Sequence, residues 1–328
     1  MRKLFFLLFC CVMASCSSSD SSQSDDQYAN EDKVLVYSYL KVHYVGLDSG
    51  KIYKTLWNYR DNDAAKDYYN KADDKIYRFL SNIGYDRLEV IDAKQFRIAS
   101  SATVVQTSTL VLHNIDNIDL TTQVFSVEPG FLHVVYSTEK GNIWDSPWGV
   151  GKINLSTGDF QTIYSSYSRP SFPSMILYNP INHFLYHFDN SVADFELVRK
   201  VDMSNGVDQF DNFTYNIPID ILDNYWNTFQ NSIDQNFYFF MNYDSGNYLV
   251  KIDAATNEMV NMGRLPESDF RADNIYFINA KNKVVFSVFN GSTDLLGSKD
   301  YSSGVEKQVS VRLTDGNAMF IDRLLFID

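Results

Sequence analysis

Cysteine is almost absent from this chain. Three cysteines stand among 328 residues, Cys10, Cys11 and Cys16, all within the first sixteen. A secreted fold stapled by disulfides would carry them in its folded part, so whatever folds here relies on its core. Long apolar runs are also missing. After Met13 no stretch approaches the roughly 18 residues of a membrane-spanning helix. Basic residues number 28 against 41 acidic ones, and the net charge of −13 excludes a phosphate-neutralising nucleic-acid surface. It equally disfavours docking on anionic lipid through a basic patch. The familiar signatures of chemistry are missing too: no G-x-S-x-G elbow, no G-x-x-x-x-G-K-[ST] loop, no His-Glu-x-x-His and no cysteine beyond the leader. Sequence therefore assigns no catalytic residue, no metal ligand and no cofactor. Among so many carboxylates it cannot single out an acid/base pair.

What is present begins at the N-terminus. Met1-Arg2-Lys3 is a basic start, Leu4 to Met13 an apolar run, and Ala14-Ser15-Cys16 a small-residue end, the layout of a secretory signal. Ten residues at ~1.5 Å rise cover roughly 15 Å, half a bilayer core. Val12-Met13-Ala14-Ser15-Cys16 resembles the lipobox of bacterial lipoproteins, with Met13 where that family prefers leucine. The resemblance implies a signal peptide over 1–15, then Cys16 acylated, with palmitate among the candidate chains, as the mature N-terminus. An ordinary signal peptide cut nearby is the alternative. Residues 16–32 contain six serines and five acidic residues, with Tyr28 the one large apolar side chain, which reads as a flexible linker. Ser17 after the cysteine resembles outer-membrane sorting in diderm bacteria. Asp20 and Ser24-Asp25-Asp26 resemble the surface-export signals of Bacteroidota lipoproteins. The implied location is the outer membrane, lipid-anchored and exposed on the cell surface, with a periplasm-facing domain as alternative.

Residues 33–328 form one expected domain. Its 22 Tyr and 24 Phe, counted over the chain, favour strands, and Asn, Asp, Ser and Gly punctuate it as β-turns require. Five segments share one shape, a strand, then Asp or Asn, then a short run to Gly or Asn. They centre on Asp48, Asp92, Asn154, Asp202 and Asp253, with a weaker copy at Asp315-Gly316. The acid accepts turn amides and the glycine supplies positive φ, a structural use. The spacings of 44, 62, 48 and 51 residues are those of β-propeller blades. They predict an all-β propeller of about six four-stranded antiparallel blades, with seven possible if the longest spacing hides one. Blade units fall at 33–60, 74–106, 107–165, 172–217, 224–265 and 270–328. A β-sandwich pair is the alternative. The turns resemble those of YncE-like and TolB-like bacterial propellers, which bears on fold rather than function. The apolar Ala318–Asp328 is expected to close the ring against Lys33–Tyr39, and a helical turn is expected at 63–70.

Few residues invite a functional reading. His183 and His187 share a strand face about 13 Å apart, too far to hold one metal. Asp61-Asn62-Asp63, with Asp67, Asp73 and Asp74, fails the EF-hand pattern and reads as a solvated acidic loop. Trp144 and Trp148 flank a turn with Pro147 and Gly149 and are the candidate ligand-binding residues, since exposed indoles suit sugar rings and peptide grooves. Interblade packing is the competing reading for both. Tyr225-Trp226 and Leu56-Trp57-Asn58-Tyr59 are weaker versions. The leading expectation is a non-catalytic envelope binding or scaffold lipoprotein for a glycan, a peptide or a partner envelope protein. The alternative is a propeller hydrolase or lyase.

Overall fold

The computed structural model describes residues 30–327, except 39–40, 58–65, 80–86, 98–104, 117, 126–127, 139–146, 166–174, 180–182, 189–196, 213, 216–224, 231–236, 244–245, 254–255, 257, 265–268, 279–281 and 314. Alternating apolar residues drive strand after strand, and each set of four pairs into its own sheet. Blade one joins β1 (Lys33–Ser38), β2 (Lys41–Gly46) and β3 (Ile52–Trp57) to β25 (Arg323–Leu325) from the far end of the chain. Blade two holds β4 (Lys66–Asn70), β5 (Lys75–Phe79), β6 (Arg87–Asp92) and β7 (Thr107–Val111). Blade three holds β8 (Asp119–Phe125), β9 (Phe131–Ser137), β10 (Trp148–Asn154) and β11 (Phe160–Ser165). Blade four holds β12 (Met175–Asn179), β13 (Phe184–Phe188), β14 (Leu197–Asp202) and β15 (Val207–Asn212). Blade five holds β17 (Tyr225–Gln230), β18 (Phe237–Tyr243), β19 (Gly246–Ile252) and β20 (Glu258–Arg264), with the short β16 (Thr214–Tyr215) added in parallel to β20. Blade six holds β21 (Asp269–Ile278), β22 (Lys283–Phe289), β23 (Asp294–Asp300) and β24 (Glu306–Ser310).

The first strands of successive blades meet around an axis: β12 contacts β17, β17 contacts β21, and β21 contacts β25. β25 takes the innermost place of blade one by pairing Leu35 with Leu325, Val36 with Leu324 and Tyr37 with Arg323. The expected closure of the ring by the chain ends is therefore present, and the architecture is an all-β propeller. The long spacing between Asp92 and Asn154 holds a one-turn helix (Lys94–Arg97) and the fourth strand of blade two. Among the described residues no further sheet stands there. Residues 107–111 thus belong to blade two, not blade three. The helical turn expected at 63–70 is corrected as well. Its described part is β4, because Tyr68 and Tyr69 pair with Tyr77 and Ile76 across a hairpin, and aromatic residues prefer a pleated surface.

The core lies between blades, which is why strands such as Lys33–Ser38 read as nearly continuous apolar runs. Val34 and Val36 face blade six and cluster with Val285 and Leu296. Leu35 and Tyr37 face blade two and cluster with Ile76 and Ile91. The two-residue period of the strand sends alternate side chains into opposite interfaces. Glycine within the third strands makes room for aromatic rings. A Cβ on Gly151 would stand 2.2 Å from Phe160, and one on Gly297 2.1 Å from Phe286.

The repeated turn proves to be one device at one blade position, the link between third and fourth strands. In four blades the amide four residues on donates back to the turn's first carbonyl. Gly50 donates to Gly46 at 3.0 Å, Gly158 to Asn154 at 2.8 Å, Gly206 to Asp202 at 2.7 Å and Gly304 to Asp300 at 2.8 Å. All four donors have positive φ, from 67° to 79°. Asp253 opens the same link in blade five, accepting the Thr256 amide at 3.0 Å. Asp92 caps the Lys94 amide at 2.9 Å before the one-turn helix. Two registrations change. Blade six uses Asp300, whose Oδ1 accepts the Ser302 and Ser303 amides at 2.8 and 3.0 Å, rather than Asp315. Blade one begins its turn at Gly46, so Asp48 lies two residues past the equivalent position.

Candidate functional site

Antiparallel order gives the disc two faces. Counting outward from the axis, the first-to-second and third-to-fourth turns open on one face, the turn face. The second-to-third loops and the blade-to-blade connections open on the other. At the seam of blades three and four, the turn face carries an open cleft of about 510 Å³, within the range of small-ligand sites. Its walls include Glu128 and His133 of blade three and His183 and Asn205 of blade four. Lys152 of β10 sits 2.9 Å from Glu128 Oε1 and 4.5 Å from the centre of the Phe131 ring, so both lining charges are offset within one wall. Burial, with Lys152 acting against Glu128, pushes the His133 imidazole down to about 4, which keeps it neutral at pH 7. His183 stands exposed before β13 with φ 60°, a region His adopts more readily than most residues. The opposite rim is braced from below. Asp202 accepts Ser204 N and Oγ at 2.9 and 2.5 Å and Asn205 Nδ2 at 2.7 Å, and Asn205 Oδ1 accepts the Val207 amide at 2.8 Å. The cleft therefore offers amide, hydroxyl and imidazole groups with balanced charge, a surface suited to hydrogen-bonding an uncharged polar ligand.

A second polar centre lies at the inner strands of blades one and two. The Asp67 side chain is 1% exposed. Its Oδ1 accepts Arg78 Nε at 2.8 Å, and its Oδ2 accepts the Tyr37 hydroxyl at 2.6 Å and Arg323 Nη2 at 3.2 Å. Burial opposes its ionisation, but Arg78 first and Arg323 next outweigh burial and hold the carboxyl below the usual range. Tyr37 is pushed well up by burial and by Asp67, so its hydroxyl keeps its proton. One carboxylate thus bonds to β1, β5 and the closing strand β25, and the cluster locks the seam where the ring shuts.

The structure redistributes the residues singled out from sequence. Trp148 is corrected. It is the first residue of β10, 0% exposed, with its ring 5.4 Å from that of Tyr164 in a cluster with Leu185 and Val201 of blade four. The strand begins immediately after Pro147, so pleating directs Trp148 and Val150 to one interface rather than into a loop. Trp144 and Cys16 lie outside the described residues, as do the side chains of Trp57, His187 and Trp226. His183 precedes its strand rather than belonging to it. Of the acidic loop, Asp61, Asn62 and Asp63 lie outside the described residues, and two others are not free in solvent. Asp67 is buried as above, and Asp74 pairs with Arg97 Nη1 at 2.8 Å. Among the described residues no group of three His, Cys, Asp or Glu is placed to hold a metal, and no helix is long and apolar enough to cross a membrane. Sequence reasoning placed Asp67 in a solvated loop and gave Glu31 no role. Gly46, which lacks the Asx side chain that opens the other turns, marks a turn in need of an acceptor but does not point to the residue that supplies it.

No protein-family model matches the chain, and no curated protein matches it. Solved structures do. TolB from Acinetobacter baumannii is similar at 11% identity and TM-score 0.55, over 84% of this chain and 62% of that one. A putative TolB from Agrobacterium tumefaciens is similar at 8% identity and TM-score 0.52, over 84% of this chain and 87% of that one. An oligogalacturonate lyase in complex with manganese is similar at 9% identity and TM-score 0.52, over 87% of this chain and 81% of that one. At such identities the likeness is one of fold.

Proposed function

We propose that this chain is a bacterial outer-membrane lipoprotein, anchored through Cys16. Its propeller binds an uncharged polar ligand, a glycan or the backbone of a peptide or partner envelope protein, without transforming it. One observation carries the choice of binding over catalysis. Among the described residues lining the cleft, Glu128 is the single carboxylate, and Lys152 Nζ holds it at 2.9 Å. A hydrolase or lyase of the carboxylate type would bring a second acid to the same site. The blade three and four cleft is the ligand seat, with its charges offset and its rim braced. The anchor rests on the Met1–Cys16 layout, and the outer-membrane destination on Ser17. The rival is a hydrolase or lyase, and in its favour this fold also serves an oligogalacturonate lyase.

The two readings separate in one experiment. Purified chain is incubated with envelope glycans and peptides, and ligands are weighed by mass spectrometry before and after. Retention of intact ligand, weakened by Gln161→Ala on β11, which also lines the cleft, or by Lys152→Ala, is the expected result. Cleaved or unsaturated products accumulating beyond one per protein would overturn it.

A further inference from the structure

The chain reaches β1 across the turn face, and there Glu31 makes an unusual set of bonds. Its Oε2 accepts the Asp48 and Ser49 amides, both at 2.8 Å, and its Oε1 accepts Ser49 Oγ at 2.5 Å and Tyr53 Oη at 2.7 Å. In blade three the Asn154 side chain serves the corresponding amides, Ser156 at 2.8 Å and Thr157 at 3.3 Å. Blade one has Gly46 at that position, and a Cβ built there would stand 2.1 Å from Glu31 Oε1. The carboxylate of Glu31 thus occupies the space that an Asx side chain fills elsewhere, and does its work from fifteen residues upstream. Asp32 extends the attachment to blade six. Its Oδ2 lies 3.1 Å from Lys283 Nζ, and its carbonyl accepts the Leu47 amide at 2.8 Å. Lys307 of blade six bonds Asp48 Oδ1 at 3.0 Å, tying the same turn across the seam.

We infer that Glu31 and Asp32 form a clamp that fixes the membrane tether to the turn face at the seam of blades six and one, so that the cleft is the edge of that face held farthest from the membrane. In a six-bladed ring the seam of blades three and four lies diametrically opposite the seam of blades six and one. Thirteen residues separate Cys16 from Asn30, and a flexible segment of that length spans on average only about 20 Å, so the clamp is on average the part of the disc nearest the bilayer and the opposite rim the part farthest from it. The ligand, in this arrangement, is met on the far side from the anchor. The inference rests on the lipid-anchor reading, and its test separates the two.

The full processed chain is reconstituted in vesicles carrying quencher on the lipid headgroups. A thiol-reactive fluorophore is placed on Ser302→Cys, beside the clamp, or on Ser204→Cys, beside the cleft. Stronger quenching at 302 than at 204 is expected. Glu31→Ala should narrow the difference and speed deuterium exchange at the Asp48 and Ser49 amides at least about tenfold, as loss of charge-assisted bonds implies. Gly46→Asn should rebuild the turn in place and expel Glu31, narrowing the quenching difference while exchange stays slow. Equal quenching at both labels in membrane-bound chain, or a Glu31→Ala variant unchanged in both readouts, overturns the clamp alone. Fluorophore uptake by the parent chain at Cys16, without vesicle attachment, overturns the anchor and the orientation with it.

Discussion

His43 and His133 are each 2% exposed, and burial pushes both imidazoles down to about 4. His43 Nδ1 meets Thr55 Oγ1 at 2.9 Å, while its buried Nε2 has no acceptor among the described residues, so a second proton would be buried unpaired. The fold therefore selects the neutral rings. Their contribution is complete above the unfolded value of about 6.5 and is lost as pH falls from there towards 4. Asp67 acts lower. With its folded value depressed, its contribution is complete above about 3.9 and is lost as pH falls through the folded value. Urea denaturation across pH should thus show two successive losses, one between 6.5 and 4 and one below 4. Replacing both histidines by His43→Phe and His133→Phe should flatten the first. Asp67→Asn should cost about 3–5 kcal/mol at pH 7, because the buried Arg78 loses its nearer carboxylate and keeps only Glu89 at 3.4 Å, and should shrink the second. A single loss below pH 4 with both histidines present would contradict these ionisation states.

At the scale of elements, the third-to-fourth turn repeats its backbone geometry but not its surroundings. A Cβ on Gly158 would stand 1.8 Å from the Val111 carbonyl oxygen of the neighbouring blade, whereas one on Gly304 meets nothing within 4 Å. Both residues have positive φ, 79° and 72°. Gly304→Ala should cost only the left-handed backbone penalty, about 1–2 kcal/mol. Gly158→Ala should cost more, since two blades must also part, and equal losses in denaturant midpoint would refute the interblade contact. These turns were also what sequence could show best. Asn154, Asp202 and Asp253 are legible because a tight turn needs its acceptor and its positive-φ residue at fixed spacing in the chain. Asp300-Tyr-Ser-Ser-Gly304 has the same spelling and opens the third-to-fourth link of blade six, which Asp315 does not. Glu31 was not legible as a turn residue, because its acceptor role is set by proximity in space. The same holds for Asp67, whose partners Tyr37, Arg78 and Arg323 come from three separate strands. Trp148 misled because sequence shows a Trp beside Pro147 but not the strand that starts there, and Cys16 and Trp144 lie outside the described residues.

At the scale of the whole molecule, everything depends on the ring being closed. Both faces, the opposition of tether and cleft, and the Asp67 lock exist only if β25 completes blade one. This closure was foreseeable because a propeller must close its ring and the apolar C-terminal segment stood ready to pair with Lys33–Ser38, whose nearly continuous apolar run marks an interior strand covered by a blade on each face. Closure is also the costliest contact to form, because it joins residues from opposite ends of the chain and loop-closure entropy grows with separation. Its register can be read directly. In a background of Cys10→Ser, Cys11→Ser and Cys16→Ser, the pair Val36→Cys and Leu324→Cys occupies directly opposed positions. The pair Val36→Cys and Leu325→Cys is displaced by one residue, which turns the second thiol to the other face. Intact-mass and non-reducing electrophoresis after mild oxidation should show the first pair linked within one chain and the second pair mostly free. Failure of the opposed pair to link, or preferential linking of the displaced pair, would contradict the closed propeller.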